Sequence, residues 1–292
     1  MRGRAVEVEA RAKLTLSLRV VDSRPDGYHD IEALAISVSE PHDVLTVSQL
    51  PVGAGVHLNV GGPVVDRVPF DASNLAVRAV QLLSEHVGVA LDVELALHKR
   101  IPAEAGLGGG SMDAAAALVG VRDLFGLLVD DFALEQLAAH VGSDAAFGVR
   151  GGAAWMRGRG EHLERVTLPP LRALVAVPPL RCATADVYQA WDELGGPKGR
   201  EVAAPAGLPV AVLANDLEPA ALQVEPRLEA FRAEVERCCG RDALMAGSGS
   251  AYAALYDDSE TPGRDAAEVR DATGADVYAA AMVDQAVLIH PA

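Results

Sequence analysis

The stretch Ile101–Gly120, IPAEAGLGGGSMDAAAALVG, has five glycines between Gly106 and Gly120, consecutive at Gly108, Gly109 and Gly110. The alanine-rich run that follows predicts a helix. The first turn of a helix leaves N–H groups unpartnered and carries the positive end of the dipole, so it attracts anions. Phosphate oxygens reach those N–H groups where no Cβ intervenes, and three adjacent glycines provide that. Ser111 adds a hydroxyl for phosphate or Mg2+. On this reading a side chain at Gly109 would stand in the phosphate's place. The bland alternative is a tightly packed turn. A glycine within regular structure costs about 0.5–1 kcal/mol relative to Ala, which weighs against an incidental triplet. The loop is not a Walker A loop, which needs GxxxxGK[ST], and Ser111 stands where GxGxxG has its third glycine.

Around this loop the pattern is mixed. Residues 4–20 and 31–49 alternate or are rich in β-branched residues and read as strands, joined by the turn RPDGYHD. VGAGVHLNVGG reads as a strand, and DASNLAVRAVQLLSEHVG as a helix capped by Asp71 or Ser73. LDVELALHKRIP is a strand that stops at Pro102, and DDFALEQLAAHVG a helix closed by Gly142. The composition shifts near 150–170. Beyond it come the strand LRALVAVPP, the helices TADVYQAWDEL and PRLEAFRAEVERCCG, and ALMAGSGSAYAALY as strand, glycine turn, strand. The helix DAAEVRDAT and the strand DVYAAAMV finish the chain. This order predicts an α+β fold with a boundary near 160, separating 1–160 from 161–292.

The chain has 292 residues, half of them apolar, ample for a buried core. Its apolar runs are too short or broken to span a bilayer, and the N-terminus lacks the apolar core of a signal peptide. Cys182, Cys238 and Cys239 form no disulfide framework, so a cytoplasmic location is expected. A net charge of −16 speaks against nucleic-acid or anionic-membrane binding through a broad field, but leaves room for an anionic substrate in a local basic site. Arginines number 22 and lysines three, Lys13, Lys99 and Lys198. Taken singly, Lys13 in its alternating strand is a surface or snorkelling residue. Asp144 in HVGSDAAF is a helix cap, and Tyr28–His29 belong to a turn. The second glycine turn, Met245–Ala251, is either a far wall to the first loop or a simple hairpin. No HExxH, EF-hand, GxSxG or paired metal-ligand spacing occurs.

Together these pieces resemble the GHMP kinase superfamily, and within it the kinases of 4-diphosphocytidyl-2-C-methyl-D-erythritol in the non-mevalonate isoprenoid pathway. ARAKLTLSLRVVDSRPDGYHDIEAL is similar to their PAKxNLxLxVxxxRxDGYHxLxT. NLAVRAVQLL and KRIPAEAGLGGGSMDAAAAL match the nucleotide-site segments, and VGSDAAFGVRGGAAWMRGRGE follows GADVPFFLxGGxAxxxGxGE. CATADVYQAWDEL, NDLEPAAL and GSGSAYAAL fit the C-terminal half, so the likeness covers nearly the whole chain. It departs at Thr15 (Asn in the family), Met112 (Ser), Ala145–Ala146 (Val-Pro), Gly148 (Phe) and Ser250 (Pro).

The resemblance implies a two-domain fold, with an N-terminal domain like ribosomal protein domains, a ferredoxin-like C-terminal domain and a site in the cleft between them. It implies phosphorylation of the substrate's 2-hydroxyl by ATP with Mg2+. Asp144 would be the general base, with Lys13 keeping it ionised and steadying the hydroxyl. Gly106, Gly108, Gly109, Gly110 and Ser111 would hold the phosphates, Ser111 also touching the metal. Asn74 and Lys99 would line the adenine pocket. Tyr28 and Tyr188 would sandwich the cytosine, His29 would bond its edge, and Thr15 and Thr184 would touch other polar groups. The partner implied is a small cytidyl-diphosphate sugar alcohol, with no nucleic acid or membrane, and the chain a monomer or homodimer. Two alternatives stand beside this: a kinase of the same superfamily for mevalonate or homoserine, and a nucleotide-binding paralogue with weak catalysis.

Overall fold

Two long strands organise the molecule. In the computed structural model, which describes residues 4–291, β1 (Ala5–Ser23) and β2 (His29–Gln49) pair antiparallel along almost their whole length. The register slips at Arg11/Lys13, Thr15/Ser17 and Val20/Asp22. Such bulges bend a strand and re-aim its side chains, and the first falls at Lys13.

The chain continues through β3 (Val56–Gly61), α1 (Leu75–Val87), β4 (Val93–His98), α2 (Gly109–Phe125), α3 (Asp131–Val141) and α4 (Ala145–Arg150). Next are β5 (Ala153–Gly158), β6 (His162–Arg165), β7 (Leu171–Val177), α5 (Thr184–Glu193) and the small hairpin β8 (Glu201–Ala203) with β9 (Val212–Ala214). The last stretch comprises α6 (Glu218–Val224), α7 (Arg227–Cys239), β10 (Ala243–Met245), β11 (Tyr252–Asp257), α8 (Gly263–Thr273), β12 (Asp276–Val283) and β13 (Val287–Pro291). Eleven strands form one sheet whose main path runs β10-β11-β7-β12-β2-β1-β13. The α+β expectation holds.

One strand joins the two halves. β2 pairs with β5 through residues 31–36, with β12 at Ser37–Val38 and with β4 through 44–49. Past the boundary expected near 160, β6 stays with β5, and β13 returns to pair with β1 at Val6–Ala10. The polypeptide therefore crosses between the halves more than once.

Helix α2 runs through the centre. Ala114–Val119 are all buried, and a Cβ on Gly120 would stand 2.8 Å from Val8 and 3.1 Å from Val47. Its small residues let it lie directly on β1 and β2, which fixes where its N-terminus points. The cap of α1 is Asn74, not Asp71 or Ser73. Its Oδ1 accepts from the Ala76 N–H at 2.9 Å, while Asp71 accepts from the backbone and hydroxyl of Ser73.

Candidate active site

Gly108, at φ +71, turns the chain into α2 in the left-handed region that favours glycine. The first intrahelical acceptor serves Met112, whose N–H donates to the Gly108 carbonyl at 3.0 Å. The N–H groups of Gly109, Gly110 and Ser111 lie ahead of it and have no carbonyl within the helix. These donors at the positive end of a 17-residue helix suit phosphate oxygens.

Beside this turn Lys13 Nζ and Asp144 Oδ2 form an ion pair at 2.9 Å. Lys13 is buried, held by its backbone N–H donating to the Leu107 carbonyl at 3.0 Å. A Cβ on Gly108 would lie 3.6 Å from both Asp144 Oδ2 and Lys13 Cβ, so the loop's bend and the pair are in contact. Asp144 occupies the N-cap position of α4 but makes no capping hydrogen bond; its carboxylate faces Lys13. Residues 142–144 run close to the loop as well. A Cβ on Gly142 would stand 3.2 Å from the Ser111 hydroxyl, and one on Gly160 would stand 3.6 Å from Asp144 Oδ1.

The glycines divide into distinct roles. A Cβ on Gly106 would fall 1.8 Å from the Ala246 carbonyl, and one on Gly247 would fall 2.9 Å from the Gly106 carbonyl. The second glycine turn is thus the far wall of the first. At Gly109 a Cβ would point at Ile101 (3.0 Å) and Lys99 Nζ (3.3 Å). It points inward, which corrects the expectation that a side chain there would displace phosphate. At Gly110 it would meet Leu75 at 3.6 Å.

Lys99 does not line an open pocket. Its ammonium is buried beneath the loop and bonded to Asp43 and, at 2.6 Å, to Asp113. Asp43 also accepts from the N–H groups of Arg100 and Ile101. The cluster ties β2, the chain after β4 and α2 together under the glycine turn. Burial, with the charge of Asp43, pushes the Asp113 carboxyl up to about 8 against the pull of Lys99. Asn74 is likewise occupied. Besides its cap, its Nδ2 donates to the Pro69 carbonyl at 2.9 Å, so both ends of its amide serve its own loop.

A second group of side chains lies at the turn end of the β1–β2 hairpin, where Ser23 pairs with His29. His29 stacks on Tyr188 (4.7 Å between ring centroids, 25° apart) and meets the edge of Trp191 at 5.4 Å. Burial, with the charge of Asp144, holds the Tyr188 phenol well above its ordinary range. Tyr28 is half-exposed under the Arg159 guanidinium, 5.1 Å from its centroid. Thr15 is buried on β1 two residues beyond Lys13, and its hydroxyl has no partner. Thr184, at the start of α5, shares a hydrogen bond with Ser248 of the second glycine turn at 2.9 Å.

Residues 74–156 match the GHMP kinases N terminal domain family. A 4-diphosphocytidyl-2-C-methyl-D-erythritol kinase from Pelotomaculum thermopropionicum is 39% identical over 270 residues, covering 89% of this chain and 92% of that protein. The chain belongs to the 4-diphosphocytidyl-2-C-methyl-D-erythritol kinase family. A relative of the same name from Gloeobacter violaceus is 36% identical, covering 87% of each chain. The crystal structure of a 4-(cytidine 5'-diphospho)-2C-methyl-D-erythritol kinase superposes with a TM-score of 0.74 at 34% identity, covering 94% of this chain and 98% of that one. A homoserine kinase from Cytophaga hutchinsonii reaches the same TM-score at 19% identity and shares the fold. The two-domain GHMP kinase fold and an ATP-dependent phosphotransferase activity follow from membership.

Two departures from the family pattern answer each other. Met112 is fully buried where the family has Ser, and Gly148 stands where it has Phe. A Cβ on Gly148 would lie 3.1 Å from Met112 Cε and 2.6 Å from Ala115 Cβ, so with methionine at 112 there is no room for a side chain at 148. Ser250, in place of proline, donates its hydroxyl to the Leu180 carbonyl.

Proposed function

We propose that the chain transfers the γ-phosphoryl group of ATP to the 2-hydroxyl of 4-diphosphocytidyl-2-C-methyl-D-erythritol in the cytoplasm, a step in non-mevalonate isoprenoid precursor synthesis. The observation that carries the reaction chemistry is the Lys13–Asp144 pair at 2.9 Å against the bend of the glycine loop. Phosphoryl transfer asks mainly for positioning and charge neutralisation. The N–H groups of Gly109, Gly110 and Ser111 receive phosphate oxygens at the helix N-terminus. Asp144 accepts the proton of the attacking hydroxyl, and Lys13 steadies both the carboxylate and the oxygen that loses the proton. Mg2+, when bound with ATP, neutralises phosphate charge, and the Ser111 hydroxyl is the ligand the loop offers it.

The base end rests on the aromatic group. Tyr188, stacked on His29, offers an aromatic face to a cytosine, and Tyr28, half-exposed with the Arg159 guanidinium over it, offers a second ring. The Thr15 hydroxyl is buried without a partner two residues beyond Lys13, an unmet polar group on β1 that a substrate's polar group could satisfy if the cleft admits it there, and Thr184 lies beside the second glycine turn. Asn74 and Lys99 act on the nucleotide pocket from beneath, by shaping the loops around it.

Asp144→Asn tests the assignment. It should lower kcat by roughly two to four decades, the range for losing acid–base catalysis, with little change in KM for ATP. Turnover near that of the wild type in a folded variant would contradict it.

A further inference from the structure

His29 is buried and its Nε2 lies 2.9 Å from Asp192 Oδ1, with the Ser23 hydroxyl donating to the same carboxylate oxygen at 3.3 Å. Asp192 comes from α5, in the C-terminal half, whereas His29 and Ser23 come from β2 and β1. An ionised carboxylate only accepts hydrogen bonds. A neutral imidazole facing it must therefore carry its proton on Nε2, which leaves Nδ1 as a bare acceptor. Among the described residues Nδ1 has no protein partner. The ring's orientation is held by Tyr188 stacked on its face and by a T-shaped contact with Trp191. Trp191 is itself fixed by its indole N–H donating to the Pro197 carbonyl at 3.2 Å.

We propose that Asp192 is a positioning residue that sets base preference by locking His29 in the Nε2–H tautomer. The inference rests on the reading that a cytosine is bound against His29 and Tyr188. At that place a bare Nδ1 pairs with a hydrogen-bond donor. Cytosine presents its 4-amino group as a donor, and uracil presents an acceptor oxygen at the same position. The locked tautomer therefore accepts cytosine and opposes uracil, whose O4 would face a lone pair. Asp192 acts wholly through His29. Replacing it by Asn removes the acceptor-only constraint, since an amide can either accept from Nε2–H or donate to a bare Nε2. The other tautomer, with a proton on Nδ1, then becomes available and can donate to uracil O4.

The experiment has two readouts on the full chain. Long-range 1H–15N spectra of the ligand-free protein, with His29 identified by its loss in His29→Gln, report which ring nitrogen is protonated. Wild type should show one neutral tautomer with the proton on Nε2, and Asp192→Asn a mixture. Steady-state kinetics then compare 4-diphosphocytidyl-2-C-methyl-D-erythritol with its uridine counterpart. In Asp192→Asn and Asp192→Ala the cytidyl-to-uridyl ratio of kcat/KM should fall about tenfold, the scale of one mispaired buried polar group, with KM for ATP unchanged. A wild-type His29 protonated on Nδ1, or on both nitrogens, would overturn the proposal. A changed tautomer with an unchanged ratio would overturn the specificity role by showing that the base does not meet His29. Failure of the wild type to turn over the cytidyl compound would sink the substrate reading itself, and the tautomer spectra would separate that failure from a wrong assignment of Asp192.

Discussion

Asp144 sits at a helix start and leaves the capping hydrogen bond unmade, while Lys13, from a strand far away in sequence, pairs with it. Neither residue announces this locally. A lysine in an alternating strand and an aspartate before a short helix each have an ordinary structural explanation, and only the family resemblance puts the two together. Thr15 gives a test that separates folding from binding. Its buried hydroxyl has no partner, so Thr15→Val, which keeps the shape, should leave stability unchanged or raise it by about 1 kcal/mol. If Thr15 meets the substrate, KM for the cytidyl compound should rise in the same variant. A clear loss of thermal stability with an unchanged KM would show that the hydroxyl serves the fold. The Met112–Gly148 exchange makes a coupled prediction. Gly148→Ala should cost about 1–3 kcal/mol through overpacking, and Met112→Ala in the same chain should recover part of it. Strict additivity in denaturant unfolding would contradict the compensation.

At the level of elements, the glycine loop was legible as a helix entrance, but the duty of each glycine was not. Spacing along the chain does not reveal that Gly106 abuts the second glycine turn or that Gly109 faces inward onto Ile101 and Lys99. Gly106→Ala would place a Cβ 1.8 Å from a backbone carbonyl at φ +75, so it should disturb the loop and weaken ATP binding strongly. Calorimetry showing ordinary ATP affinity in that variant would remove the loop from the nucleotide site. The resemblance implies a pocket role for Lys99, and nothing local speaks against it, because its buried partners, Asp43 and Asp113, lie 56 and 14 positions away in the sequence. Their cluster has a pH signature. The Asp113 carboxyl is raised from 3.8 to about 8 in the folded protein, so the folded state binds more protons than the unfolded chain across that range. The contribution of this group is fully present below pH 3.8 and is lost as pH rises through about 8. Urea midpoints between pH 5 and 8.5 should fall less steeply in Asp113→Asn than in wild type, and parallel curves would refute the raised carboxyl.

Across the whole molecule, the long strands and most helices were readable from alternation, caps and glycine stops. Missing from that reading were α4, the β5–β6 hairpin, α6, the β8–β9 pair and β13. These are short, and tertiary partners define them. β13 is a strand because β1 offers it an edge, and β5 because β2 does. The boundary near 160 marks a change in composition, but β6, β12 and β13 carry the later part of the chain back onto β1, β2 and β5. This return places α5, with Tyr188 and Asp192, against His29. The shared fold cannot choose a substrate, since a homoserine kinase superposes as well as a kinase of this family. On the proposed reading the aromatic group around His29 makes that choice, because a small aliphatic alcohol has no base to stack there. A coupled ATPase assay of the purified chain with 4-diphosphocytidyl-2-C-methyl-D-erythritol, mevalonate and homoserine in parallel tests the central claim most directly. The account predicts rapid turnover with the cytidyl compound alone, and faster turnover with mevalonate or homoserine, or none with any of the three, would contradict it.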